Sequence, residues 1–256
     1  MVVHKINFLT ILTFHDLDDS DAVIAFSPAL FRRGMKMLNE EGWQALGLAD
    51  AAELLRLEKP LPDRAFAVTF DDGYRAVYKE AFPVLRDLRI PATVFLTVGE
   101  KENRGSENRL PSLNGREMLA WNEIHEMSES GIFQFGAHTL SHPDLTRLES
   151  LQVEAEMRDS KAIIEDAIGK AVNSFAYPFG LYDRRTRDIA ARYFLCACSD
   201  KLGFAVHRSD LHALERVDGY YLRRAWSLSL MKGRFFPFYI NMRRIPREIR
   251  RAVLRG

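Results

Sequence analysis

The sequence predicts an α/β domain in which parallel strands are covered by helices, as a closed barrel or an open sheet. Three observations carry this. Short apolar, β-branched runs alternate with stretches of helical spacing through most of the chain. Five polar groups, His15, Asp71, Asp72, His138 and the Tyr177-Pro178 turn, fall at expected C-terminal strand ends. That edge is where α/β proteins build their sites. The 256 residues, 47% hydrophobic and 28% charged, suffice for one large domain with a buried core and room for a cleft.

Each element follows from local pattern. Phe8 to Phe14 is an apolar run ending at His15-Asp16, a strand with a polar tip. The acidic stretch to Ser27 lacks helical pattern and reads as a loop. Ser27-Pro28 offers an N-cap with proline at the first helical position, and Leu30, Phe31, Met35 and Leu38 supply the stripe. A second helix covers Ala49 to Leu57. Phe66 to Phe70 is a strand running straight into Asp71-Asp72-Gly73. Ala76 to Leu88 has helical spacing, with Pro83 expected to bend or delay it. Ala92 to Thr97 is a strand, and Gly99 to Ser112 is a long polar loop expected beside a site. Trp121 to Ser130 is a short helix, and Ile132 to Ala137 a strand ending at His138. Leu151 to Ile168 is a long helix stopped by Gly169. Asn173 to Tyr177 and Tyr193 to Ala197 are the last expected strands, with a helix over Asp183 to Ala191 between them.

Charge and cysteine content exclude several classes. Lys and Arg total 36 and Asp and Glu 35, which gives no global field for holding nucleic acid. Cys196 and Cys198 are too few for a disulfide framework, and their apolar run predicts buried thiols. The N-terminus has no secretory signal pattern and no run reaches a membrane span. The expectation is a cytoplasmic or membrane-peripheral protein.

Two motifs could carry chemistry. In Thr69-Phe70-Asp71-Asp72-Gly73, one carboxylate could bind a metal while its neighbour takes a proton; a helix N-cap is the blander reading. In His138-Thr139-Leu140-Ser141-His142-Pro143, the i,i+4 histidines can chelate one ion if the segment is helical; two solvated histidines around a turn are the alternative. Asp72, His138 and His142 together give two nitrogens and one oxygen with a coordination position left open, the arrangement of catalytic zinc. Cobalt or nickel fits the same ligands. Asp71 beside them could accept the water proton.

These motifs resemble those of the polysaccharide deacetylase family, the NodB-homology domain of carbohydrate esterase family 4. The Asp-Asp and His-x-x-x-His segments are similar to its first and second motifs, and Phe175-Ala176-Tyr177-Pro178-Phe179-Gly180 resembles a variant of its third. The resemblance covers roughly Phe8 to Ala197 and implies a distorted (β/α) barrel with about seven strands. Residues 1–256 are read as one catalytic domain of this kind, with a basic C-terminal extension over about 232–256. The resemblance also implies one divalent metal ion on Asp72, His138 and His142, with zinc first, and Asp71 as general base. A groove lined by Tyr177, Pro178, Phe179 and Gly180 would take the substrate. The implied reaction removes N-acetyl groups from an amino-sugar polymer or glycan. Alternatives are an amidohydrolase for small nitrogenous compounds and a catalytically weak carbohydrate-binding protein.

Two departures from the family pattern stand out. The third motif lacks the arginine that orients the base, and the variant resembles members acting on β-1,6-linked glucosamine polymers; Arg223 or Arg224 could supply the charge. The late leucine-histidine motif that provides a general acid has the letters Leu211-His212 in a polar setting, and His15 is its rival. A backbone N–H near Tyr177 is expected to hold the oxyanion. Trp121, Tyr177, Phe179 and Tyr182 offer flat faces to sugar rings, and the loop Asp16-Leu17-Asp18-Asp19 could attract amines.

From Lys232 to Gly256 there are eight Lys or Arg and one acid, Glu248. Phe235 to Ile240 lies inside this stretch, and Ile245, Ile249 and Val253 have helical spacing. Such a tail can rest on an anionic membrane, cover the barrel bottom or form a homo-oligomer.

Overall fold

The computed structural model describes residues 8–99 and 108–255, with side chains described as far as Ile245. Its elements in order are β1 (Thr10–Phe14), α1 (Pro28–Glu40), β2 (Gln44–Ala45), α2 (Leu48–Arg56), β3 (Ala65–Phe70), α3 (Phe82–Leu88), β4 (Ala92–Leu96), α4 (Trp121–Glu129), β5 (Phe133–Ala137), α5 (Ser150–Ile168), β6 (Ser174–Ala176), α6 (Arg184–Tyr193), β7 (Cys196–Leu202), β8 (Leu214–Asp218), α7 (Ala225–Ser229) and α8 (Phe236–Arg255). All these strands pair in parallel. The order β3-β4-β5-β6-β7-β8-β1 closes through β1–β3, in register from Thr10 opposite Phe66 to Phe14 opposite Phe70. The result is a distorted seven-stranded barrel, to which the two-residue β2 adds at the start of β3.

Alternation along each strand sorts the core into two parts. Ile11, Ala67, Phe95, Cys198 and Leu214 pack together and meet Leu48, Ala51, Ala52 and Leu55 of α2. Leu12, Phe14, Val68, Phe70 and Val94 belong to the other cluster, which the remaining helices cover. The two cysteines are free and fully buried, and burial pushes the Cys198 thiol up to about 12.

Several expectations shift. Of the two expected effects, Pro83 delays the α-helix and does not bend it. A π-helical turn over Val77–Ala81 comes first, and α3 then starts with Pro83 in its first turn, where no N–H is needed. Tyr193 ends α6 instead of opening a strand; the helix, capped at its start by Asp183 accepting from Thr186 N–H, runs for ten residues. Strand β7 starts at Cys196 and runs on into the polar Ser199-Asp200-Lys201. Strand β8 was not anticipated, since Leu-Glu-Arg-Val-Asp reads as a solvated segment. Residues 100–107 of the expected long loop, and the side chains of Ile249 and Val253, lie outside the described residues. Among the described residues no helix is long and apolar enough to cross a membrane.

Candidate active site

The site is built where β3, β5 and β8 end. Leaving β3, Asp71 N–H donates to Phe14 O at 3.0 Å, so the chain is still held to β1. Asp72 and Gly73 then take φ of +73° and +84°. This left-handed pair reverses the alternation of the strand and lets both carboxylates reach one cleft. A Cβ on Gly73 would lie 2.7 Å from Leu110.

The second motif is not helical. Thr139 and His142 have φ of +74° and +58°, and the segment is a tight loop. Glu156 of α5 pins it, accepting from Leu140 N–H at 2.7 Å, Ser141 N–H at 3.0 Å and Ser141 Oγ at 2.6 Å. Thr139 Oγ1 accepts from His142 N–H at 3.0 Å. The i,i+4 spacing therefore works through loop geometry. Replacing Glu156 with Gln is expected to weaken metal affinity about 10- to 100-fold, the range for groups that orient ligands. A metal titration of the variant with its thermal midpoint checks this.

Asp72, His138 and His142 converge. Asp72 Oδ1 lies 3.3 Å from Nε2 of each histidine, and the three ligand atoms sit within 4.8 Å of one another. His138 Nδ1–H donates to Ala176 O at 2.7 Å, which fixes the tautomer and leaves the Nε2 lone pair turned toward Asp72. Burial works against the Asp72 charge, but the two imidazoles, when they carry a proton on Nε2, donate to it, outweigh burial and hold the carboxyl below the usual range. A carboxylate and two imidazole nitrogens so placed form a site for a divalent metal ion.

Asp71 takes no part in that cluster. It faces Arg216 of β8 in a bidentate pair, Nη1 to Oδ1 at 2.7 Å and Nη2 to Oδ2 at 2.7 Å. Arg216 is buried and held by Ser199 O at 2.9 Å from its Nε and by Thr13 Oγ1 at 3.0 Å. Burial raises the Asp71 pKa, but the guanidinium outweighs it and the net direction is downward. His15 Nε2 stands 3.8 Å from Asp71 Oδ2 on the open side. Together these groups line a cleft of about 210 Å³, which Phe179, Asp200 and Asp218 also border.

The remaining expected residues divide. Phe179 is 59% exposed, with φ +57° and its ring 4.7 Å from that of His142. Gly180 lines the cleft at φ +63°. Tyr177 and Pro178 are buried, so they shape the groove from behind. The Tyr177 hydroxyl donates to His212 O at 2.9 Å, and its backbone N–H already donates to Cys198 O at 3.2 Å. Trp121 is buried too. His212 is placed away from the cleft, its Nε2 bonded to Phe194 O at 2.9 Å. Arg223 and Arg224 do not reach Asp71. Arg223 stacks on Tyr220 at 3.9 Å, and Arg224 precedes α7. The cation paired with Asp71 is Arg216, which sequence reasoning missed. The acidic loop is partly neutralised, because Arg116 binds both Asp16 and Asp18.

The polysaccharide deacetylase family model matches residues 58–195, more than half of the chain and the segment that carries all three motifs. This chain belongs to that family. Among curated polysaccharide deacetylase relatives, YxkH of Bacillus subtilis, a candidate deacetylase, is 28% identical over 210 residues, covering 82% of this chain and 70% of its own. The poly-β-1,6-N-acetyl-D-glucosamine N-deacetylase of Escherichia coli K12 is 29% identical over 140 residues, 52% of this chain and 21% of the relative. The chain thus spans about a fifth of that enzyme. A solved deacetylase, PplD of Streptococcus pyogenes in complex with acetate, superposes with a TM-score of 0.74 at 25% identity, covering 83% of this chain and 92% of that one.

Proposed function

We propose that this polysaccharide deacetylase removes N-acetyl groups from an amino-sugar polymer, with β-1,6-linked N-acetylglucosamine as the leading substrate and zinc as the metal. The observation that carries the reading is the division of labour at one cleft. Asp72, His138 and His142 face one another, while Asp71 stands beside them on its own arginine. The variant third motif and the E. coli relative support the β-1,6 linkage.

Asp72, His138 and His142 would hold the ion, which supplies carbonyl polarisation and a more acidic water at that point. Asp71, kept ionised and oriented by Arg216, accepts the proton of the attacking water at its carboxylate. His15, on the other side of Asp71, is positioned to protonate the leaving nitrogen as the carbon–nitrogen bond breaks. Acetate and a free amine result. The exposed ring of Phe179 offers a sugar platform at the rim.

Acetate release from β-1,6- and β-1,4-linked N-acetylglucosamine oligomers tests this. Release is expected from the β-1,6 oligomers, to be abolished by a chelator and to return with zinc. Metal binding without acetate from either oligomer would overturn the glycan assignment, and release from small amides alone would favour an amidohydrolase.

A further inference from the structure

Helix α8 has two apolar faces. Phe236 and Ile240 are buried, with the Phe236 ring 5.8 Å from Phe204. Phe238, Met242 and Ile245 form a second stripe, exposed at 65%, 54% and 61%, and Phe235, just before the helix, is exposed at 62%. The helix spacing of four and three residues from Phe238 to Met242 to Ile245 places those three on one side of the helix axis. Trp226 of α7, 56% exposed, extends this surface, its ring 5.6 Å from Tyr239. Single exposed apolar residues are ordinary, but an ordered stripe beside an already satisfied buried face marks a contact surface.

Charge identifies the occupant. From Arg223 to Gly256 the sequence holds ten Lys or Arg and one acid, while the rest of the chain holds 26 against 34. Arg234 and Arg243 are exposed around the stripe. Lys232, itself paired with Glu41 at 3.0 Å, joins Arg32, Arg33 and Lys36 of α1 in a groove that the single acid Glu40 also lines. A second copy of the chain laid helix on helix would bring two strongly cationic segments together. An anionic bilayer complements both features, taking the aromatic stripe at headgroup depth and the cations on its phosphates.

We propose that the α7–α8 face docks this protein on an anionic lipid surface. The face is tied to the cleft rim, since Tyr239 OH donates to Tyr221 O at 2.8 Å, and Asp218, three residues before Tyr221, lines the cleft.

Vesicle co-sedimentation of the full chain tests this, on phosphatidylcholine alone and with about 30% phosphatidylglycerol, where each basic residue near the surface contributes about fivefold in partitioning. The unmodified chain is expected to partition at least tenfold better onto the anionic vesicles, and less so as salt rises. The Phe238→Ser/Met242→Ser and Arg234→Glu/Arg243→Glu variants should each lose at least tenfold of that partitioning. All four side chains are exposed, so thermal midpoints should stay unchanged. Equal partitioning onto both vesicles, or no loss in either variant, would overturn the proposal. So would a dimer in sedimentation velocity that Phe238→Ser/Met242→Ser dissociates without altering vesicle binding, which would make a second copy the occupant. Vesicle binding is read without catalysis, so it stands or falls apart from the hydrolase assignment.

Discussion

Replacing Asp71 with asparagine is expected to lower kcat for acetate release by about 10²- to 10⁴-fold, the usual contribution of a positioned general base, while leaving metal content unchanged. Asparagine keeps the shape and one acceptor oxygen for Arg216, but it cannot take a proton. Both Asp71 oxygens are committed to Arg216, and Asp72 supplies the carboxylate that faces His138 and His142. The Asp71 pKa is held below its ordinary value, so its ionised fraction is constant across neutral pH and the deficit should be too. The variant leaves the buried Arg216 without its full counter-charge, so rates belong well below its thermal midpoint. Metal analysis beside a single-turnover acetate assay decides the point. Loss of metal together with activity would make Asp71 a ligand instead of a base.

What the sequence disclosed and what it concealed follow one physical divide. The strand ends at Phe14, Phe70 and Ala137 were legible because short, mostly apolar runs stop abruptly at His15, Asp71 and His138. The metal ligands were legible because their spacing is short and their residue types are rare. Arg216 was not, because it lies 145 residues from Asp71 and sits in Leu-Glu-Arg-Val-Asp, where charge density argues for solvent. A charged residue at an inward strand position becomes readable only once a partner carboxylate is placed opposite. The alternation Leu214, Arg216, Asp218 was the one available sign of a strand. Tyr177 misled for the reverse reason. An aromatic at a strand end resembles a sugar platform, yet its hydroxyl found His212 O and its ring found Tyr182, 5.1 Å away between centroids. The φ values of Asp72, Thr139 and His142 were equally hidden, since none of these positions is a glycine and nothing local announces a left-handed backbone.

The Arg216–Asp71 pair leads to the largest expected stability effect. Arg216→Met should destabilise the fold by about 3–5 kcal/mol, the cost of leaving one member of a buried ion pair uncompensated. The side chain is 3% exposed and its guanidinium also serves Ser199 O and Thr13 Oγ1, so no solvent rescue is at hand. Adding Asp71→Asn removes the stranded carboxylate, and the double variant should recover much of the loss, which a double-mutant cycle would report as coupling between the two positions. The pH dependence fixes the sign. In the native protein the folded pKa of Asp71 is depressed, so its contribution is present above the unfolded value of 3.8 and fades as pH falls through the folded one. Without Arg216, burial is opposed only by the weaker influence of His15 and His138, and the folded pKa is expected to rise. The penalty is then full at neutral pH and relaxes as the carboxyl protonates on acidification. Urea midpoints of both proteins between about pH 4 and pH 8 should therefore converge as pH falls. A gap of constant size across that range would mean that Arg216 stabilises the barrel by packing and neutral hydrogen bonds, and that the charge on Asp71 is held by something else.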